Sequence, residues 1–205
     1  MNELLLKTYE VSVANHPVLL KETLICAKLM KKMDNWKALS EKVVEENLLE
    51  ARSANTANTY LRAIRFRLES VPEELLTLMA GRHQKTARLA LLYVLLNKNR
   101  LLREMMEEVI RDAMLAGEDQ VERAKIEAFF DQKRSTDNVL KGWSDTTWRK
   151  FWQNTLKMAT ETGVLDLTED NDIKLVQEAV PKKLAAYLED EDEEVMLHIM
   201  LDPNY

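Results

Sequence analysis

An all-α fold, a compact bundle of many helices, is the class this sequence predicts. Three observations carry that reading. Only four Gly and four Pro occur in 205 residues, while Leu, Ala, Glu, Lys, Met and Arg dominate, so turns are few and helix formers many. Apolar side chains recur at the 3.6-residue period through most of the chain. The 46% hydrophobic content is enough to close a core, in one larger domain or two small ones.

Residues 4–13 have mixed character and specify no element. Asn15 is placed to cap a helix with Pro17 in its first turn, and Val18, Leu19, Leu20, Leu24, Ile25, Ala27 and Leu29 make that helix apolar enough to be buried. A second helix is predicted over 36–48, with Leu39, Val43 and Val44 inward. A third spans Ser53–Glu69, so residues 16–69 form three consecutive helices with short connections, the layout of a helix-turn-helix unit. Any three-helix bundle shares that layout. Pro72 opens the next helix and Gly81 ends it. Residues 82–103 follow with six Arg and Lys and no acid, and their apolar middle, 89–96, predicts a central buried helix. Arg100 and Arg103 are spaced to pair with Glu104, Glu107 and Glu108 one turn on.

Further helices are expected over 99–116, ending at Gly117, and over 120–132, with Ile126, Phe129 and Phe130 on the apolar side. Residues 133–142 are polar and predict a loop. That loop divides a helical unit, 1–132, from a C-terminal one, 133–205, unless the two form one continuous domain. Ser144 or Asp145 caps a helix closed by Gly163, whose Trp148, Phe151 and Trp152, with Trp143 just ahead, read as core rather than as a base-stacking platform. After Gly163 the period changes to that of a short β-hairpin near residues 164–176, giving the C-terminal unit a winged-helix layout. Its turn carries Glu169, Asp170 and Asp172, which phosphate would repel, so a structural or partner-binding role is expected. Pro181 begins a last helix that runs into the acidic stretch Glu189–Glu194 and a final apolar segment.

Net charge is −6, but it is unevenly spread. Residues 161–205 hold thirteen acids against three lysines, a local −10 that leaves +4 on residues 1–160. A binding face responds to that local balance. The single Cys26 lies in an apolar run and has no second cysteine in the chain to pair with, which fits a reducing compartment. Neither a secretory leader nor a run of about 18 apolar residues is present, so a cytoplasmic location without membrane contact is expected.

The Ser53 helix carries the chemistry. At 100° per residue Ala54, Ala57, Leu61, Ile64 and Leu68 share one arc, while Asn55, Asn58, Thr59 and Arg62 share the opposite one. Arg52 precedes them, Arg65 and Arg67 follow, and no acid lies between Glu50 and Glu69. Amide and hydroxyl groups that reach base edges, guanidinium groups that hold phosphates and a helix start that favours an anion suit a helix reading a nucleic-acid groove. Arg82, Lys85 and Arg88 extend such a surface in that reading. An ordinary amphipathic helix with a basic solvent face has the same pattern.

Nothing predicts catalysis. His16, His83 and His198 lie far apart without ligand spacing, the four glycines fall at helix ends rather than in a phosphate-cradling loop, and no carboxylate pair stands out. No metal or cofactor is expected.

The run NLLEARSANTANTYLRAIRFRLESVPEELLTLMAG, then an apolar helix, EAFFDQK and WSDTTWRKFWQNTLKMATETGVLDL, resembles the BrxA family of BREX bacteriophage-exclusion systems over about residues 15–190. The resemblance implies a small, cytoplasmic, all-helical protein without enzymatic activity. It further implies a fold similar to that of the NusB antitermination protein, binding to double-stranded DNA, and a place among other phage-defence proteins. Two other readings compete with DNA binding: a protein-interaction module assembling the defence complex through the C-terminal unit and acidic tail, and RNA binding as a NusB-like fold permits.

Overall fold

The helix Gln84–Leu96 holds the centre because its residues 89–96 are apolar on every side, leaving no face with reason to meet water. Each of those residues is 5% exposed or less. The structure is a computed structural model that describes residue 9, residues 19–33 and residues 35–205. The expected helix start at Asn15 and Pro17, and the stretch 4–13 apart from Tyr9, lie outside the described residues.

In chain order the elements are α1 (Leu20–Met30), α2 (Trp36–Glu45), α3 (Ala54–Leu68), α4 (Glu73–Ala80) and α5 (Gln84–Leu96). Then α6 runs over Arg100–Met105, passes through a π-type turn at Met106–Arg111 and finishes at Asp112–Leu115. It is followed by β1 (Gln120–Val121), α7 (Arg123–Thr136), α8 (Asn138–Lys141), α9 (Asp145–Thr162), β2 (Leu165–Leu167), β3 (Ile173–Leu175), α10 (Lys182–Asp190) and α11 (Val195–Ile199). The all-α reading holds, with one small sheet added. Helices α1 and α4 pack on α5 from one side, α9 and α10 from another, and the buried hydrophobic residues from α1 to α11 form one cluster.

The sheet has the order β1-β3-β2, all antiparallel, with Leu165 opposite Leu175 and Val121 opposite Ile173. The predicted hairpin is therefore present, but the predicted helix over 120–132 loses its first turn to a third strand. The reason is a long-range contact: Asp172 at the hairpin turn accepts the Arg123 backbone N–H at 2.9 Å, so α7 begins only there. One of the three acids at the hairpin turn thus serves as a helix cap.

The polar stretch 133–142 is not the expected loop. Helix α7 continues through Lys133 and Arg134 because both are held: Lys133 by Glu104 and Glu108 at 2.9 and 2.6 Å, Arg134 by Asp145 at 2.7 Å and the Trp143 carbonyl at 3.0 Å. Asp137 then caps the single turn of α8. Arg100 and Arg103 pair with Glu104 and Glu107, as their spacing predicts. Trp148 and Phe151 are core, with Trp143 and Trp152 half-buried against them, and the four pack around Phe130 and one another.

Glu104 gathers three donors. Tyr9 Oη donates to it at 2.6 Å, Arg100 Nε at 2.6 Å and Lys133 Nζ at 2.9 Å. Burial alone would raise its pKa, but the hydrogen bonds from Tyr9, Lys133 and Arg100 outweigh it and hold the carboxyl below the usual range. A depressed folded-state pKa contributes stability that is fully present above the unfolded value of about 4.3 and is lost as pH falls through the folded one. Glu104→Gln is accordingly expected to cost about 1.5–3 kcal/mol at pH 7, as hydrogen bonds to a charged group do. In urea melts the gap between the two proteins should narrow as pH falls through the depressed folded-state pKa of Glu104.

Candidate nucleic-acid interface

Helix α3 starts where Ser53 leaves the helical conformation and its Oγ accepts the Thr56 backbone N–H at 3.2 Å. Ala57, Leu61, Ile64 and Leu68 are buried as their spacing demands, while Ala54 at the first position is exposed. On the opposite side Arg52, Asn55, Asn58, Arg62 and Arg65 are exposed and Thr59 is half-buried. They form one continuous patch along the helix.

Two contacts order this face. Thr59 Oγ1 donates to the Asn55 carbonyl at 3.0 Å and accepts from Arg62 Nη2 at 3.2 Å, so Arg62 lies back along the helix toward its amino-terminal end. Arg65 stands 3.7 Å from the Glu69 carboxylate, with both side chains more than half exposed. Such a pair contributes little and exchanges readily for another anion.

Arg67 does not belong to this face. It is 4% exposed and donates to Thr23 Oγ1 of α1 at 3.3 Å. Burial pushes its guanidinium down to about 10, against the opposing pull of Glu161 and Glu22. A group so enclosed has no access to a phosphate, so the expectation that Arg67 binds DNA is corrected to a structural role.

The remaining basic residues fall elsewhere. Lys85 pairs with Glu178 at 2.7 Å and holds that carboxyl below its usual range. Arg88 is half-buried, with its guanidinium carbon 3.8 Å from where a Cβ on Gly163 would lie, and its Nε has no hydrogen-bond partner among the described residues. Arg82 is exposed and lines, with Arg88, a groove between α1, α4 and α5. The sequence reading missed Lys98. Its Nζ donates to the carbonyls of Phe66 and Glu69 at 2.6 and 2.8 Å and lies 5.3 Å from the Phe66 ring centre, fastening the end of α3 to the end of α5. Its only signal in the sequence was a lone cation at the close of an apolar run.

Among the described residues no group of three or more His, Cys, Asp or Glu stands close enough to hold a metal ion, and no helix is long and apolar enough to cross a membrane. Cys26 is fully buried, and desolvation pushes its thiol up to about 12, which leaves it inert.

Comparison with known proteins places this geometry. "BREX protein BrxA" of Escherichia coli O9:H4 (strain HS) is 24% identical over 160 residues, covering 78% of this chain and 75% of that protein. The protein of the same name from Paramagnetospirillum magneticum (strain ATCC 700264 / AMB-1) is 23% identical over 192 residues, covering 92% and 94%. The one from Bacillus cereus (strain H3081.97) is 22% identical over 165 residues, covering 80% and 82%. The fold is shared with a crystal structure of an uncharacterized protein from Magnetospirillum magneticum, with a TM-score of 0.75 at 19% identity over 94% of this chain and 97% of that one. The family model of BrxA matches residues 7–192, nearly the whole of the structure just described, and the chain belongs to the BrxA family of BREX phage-defence systems.

Proposed function

We propose that the protein is a non-catalytic, double-stranded DNA-binding component of its BREX system, and that the exposed face of α3 is where it meets the duplex. The observation that carries this reading is the patch of Arg52, Asn55, Asn58, Thr59, Arg62 and Arg65, with no acid between Glu50 and Glu69, on a helix whose other side is locked into the core. Arg52, Arg62 and Arg65 hold phosphates, and Asn55, Asn58 and Thr59 face the groove. With Thr59 and Arg62 bonded to each other and no side chain held toward a base edge, sequence preference is low.

The test is duplex binding across a salt series with the intact chain and with Arg52→Ala, Arg62→Ala and Arg65→Ala combined. All three side chains are exposed, so the fold survives the change. The triple variant should lose affinity and reduce the slope of log K against log salt by roughly 2–3, one phosphate contact per arginine. An unchanged slope would sink the mechanism. Structured RNA as competitor separates the remaining nucleic-acid reading: displacement by RNA at lower concentration than by duplex favours RNA.

A second reading has its own observation, the exposed acidic stretch 189–192 at the end of α10 and just beyond it. It suits assembly with other BREX proteins. Truncation cannot test it, because Met196, Leu197 and Ile199 beyond the stretch are core. Replacing the exposed Glu189, Asp190, Glu191 and Asp192 by their amides removes the charge and keeps the fold.

A further inference from the structure

The apolar residues of α1 predict a buried helix, yet the structure divides them between two faces. Thr23, Cys26 and Ala27 are fully buried, whereas Leu20, Leu24 and Ile25, on another arc of the same helix, are only partly covered. That second arc forms one wall of a groove of ≈ 500 Å³, closed by Met79 and Gly81 at the end of α4 and by the first turns of α5. Leaving three large aliphatic side chains partly in water forgoes burial worth about 25 cal/mol for each Å² of their remaining area.

The rim is of one sign. Among the described residues Lys21, Lys28, Arg82 and Arg88 are the ionisable side chains that line the groove and no acid joins them, in a chain whose net charge is −6. Lys21 is engaged by Glu50 at 2.8 Å. Lys28 and Arg82 enter no ion pair with another described residue, whereas Arg88 is shared with Glu178, whose carboxyl it helps hold below its usual range, and its Nε is buried without an acceptor. Aliphatic floor and cationic rim together define the occupant. Nucleic acid presents phosphate and flat bases, which want cations and aromatic stacking platforms, and gains nothing from Leu20, Leu24 and Ile25. An amphipathic helix with an apolar stripe flanked by carboxylates matches both features at once.

We propose that the groove between α1, α4 and α5 docks an acidic amphipathic helical segment of a partner protein. Its aliphatic side chains lie on Leu24 and Ile25, and its carboxylates meet Lys28 and Arg82. This site is separate from the α3 face, and the proposal stands whether or not that face binds DNA.

The experiment uses the full chain and a fluorescein-labelled helical peptide of about 16 residues, with Leu at i, i+3, i+4 and i+7 and Glu elsewhere. Fluorescence anisotropy compares it with a shuffled peptide of the same composition and with one carrying Lys for Glu. The amphipathic acidic peptide is expected to bind roughly tenfold tighter than either control, and Leu24→Glu, or Lys28→Glu with Arg82→Glu, is expected to remove that tenfold preference. In the unaltered chain the Ile25 methyl resonance should move on titration, a readout that needs no variant to fold. Equal binding of the shuffled peptide, a stationary Ile25 methyl, or displacement of the peptide by duplex DNA overturns the proposal. A dimer in sedimentation that Leu24→Glu dissolves also overturns it, in favour of a second copy of this chain.

Discussion

Phe130→Ala is expected to destabilise the protein by about 3–5 kcal/mol. The side chain is 1% exposed and sits where α7 meets α9, with ring centres of Phe129, Trp152 and Trp148 at 5.3, 5.5 and 6.3 Å. Truncation removes the ring's transfer free energy and leaves a void that three large, rigid aromatics cannot collapse into. The tilted and edge-on ring contacts add about 0.5–1.5 kcal/mol each beyond area burial. Against a typical total of about 5–15 kcal/mol, the loss is a large share of the stability. Urea denaturation followed by tryptophan fluorescence should show a lower midpoint with unchanged slope. A loss under about 1 kcal/mol would mean that the cluster is not the packing centre of this half of the molecule.

Arg67→Ala is expected to cost about 3–5 kcal/mol, the range seen when one partner of a buried charged interaction is removed. The guanidinium crosses from α3 to Thr23 of α1, and Glu22 and Glu161 pull on it from α1 and α9. Alanine removes the cation that Glu22 and Glu161 pull on, leaving Glu161 with Lys157 alone at 3.3 Å, and opens a cavity along the lost stem. Arg67→Met keeps the stem volume and should fall between alanine and the native protein. The decisive comparison is with DNA: any Arg67 variant that stays folded should keep the native salt slope, while the Arg52, Arg62 and Arg65 variant loses it without losing stability. The opposite pattern would put Arg67 back on the binding face.

Arg67 also shows where sequence periodicity stops being informative. At 100° per residue it lies about 60° from Ile64, at the flank of the apolar arc, and an arginine there snorkels outward or is swallowed according to what packs alongside. Helix α1 supplies that neighbour, and nothing in the pattern of α3 announces it. The strongly periodic or capped elements were legible for the reason that their signals are local. Ser53 and Ser144 cap as their positions demand, Gly117 and Gly163 sit at positive φ just past helix ends, and residues 89–96 are buried because no side of them is polar. The errors came from long-range contacts. Strand β1 exists only because β3 offers it a partner, and residues 133–136 stay helical only because Glu104, Glu108 and Asp145 hold their cations. Of the candidate site, the exposed polar arc of α3 was readable from spacing alone. The groove beside α1 was not, since it depends on which apolar residues of that helix find cover.

Lys98 gives α3 an electrical asymmetry. Peptide dipoles along a helix sum to roughly half a positive charge at the amino end and half a negative charge at the other. The Lys98 ammonium, bonded to the Phe66 and Glu69 carbonyls, cancels the negative pole from within the protein. What remains to act on solvent is the positive pole at Ser53, beside Arg52. An anion drifting toward the helix therefore meets a field with one end only, on the side of Arg52 and Asn55.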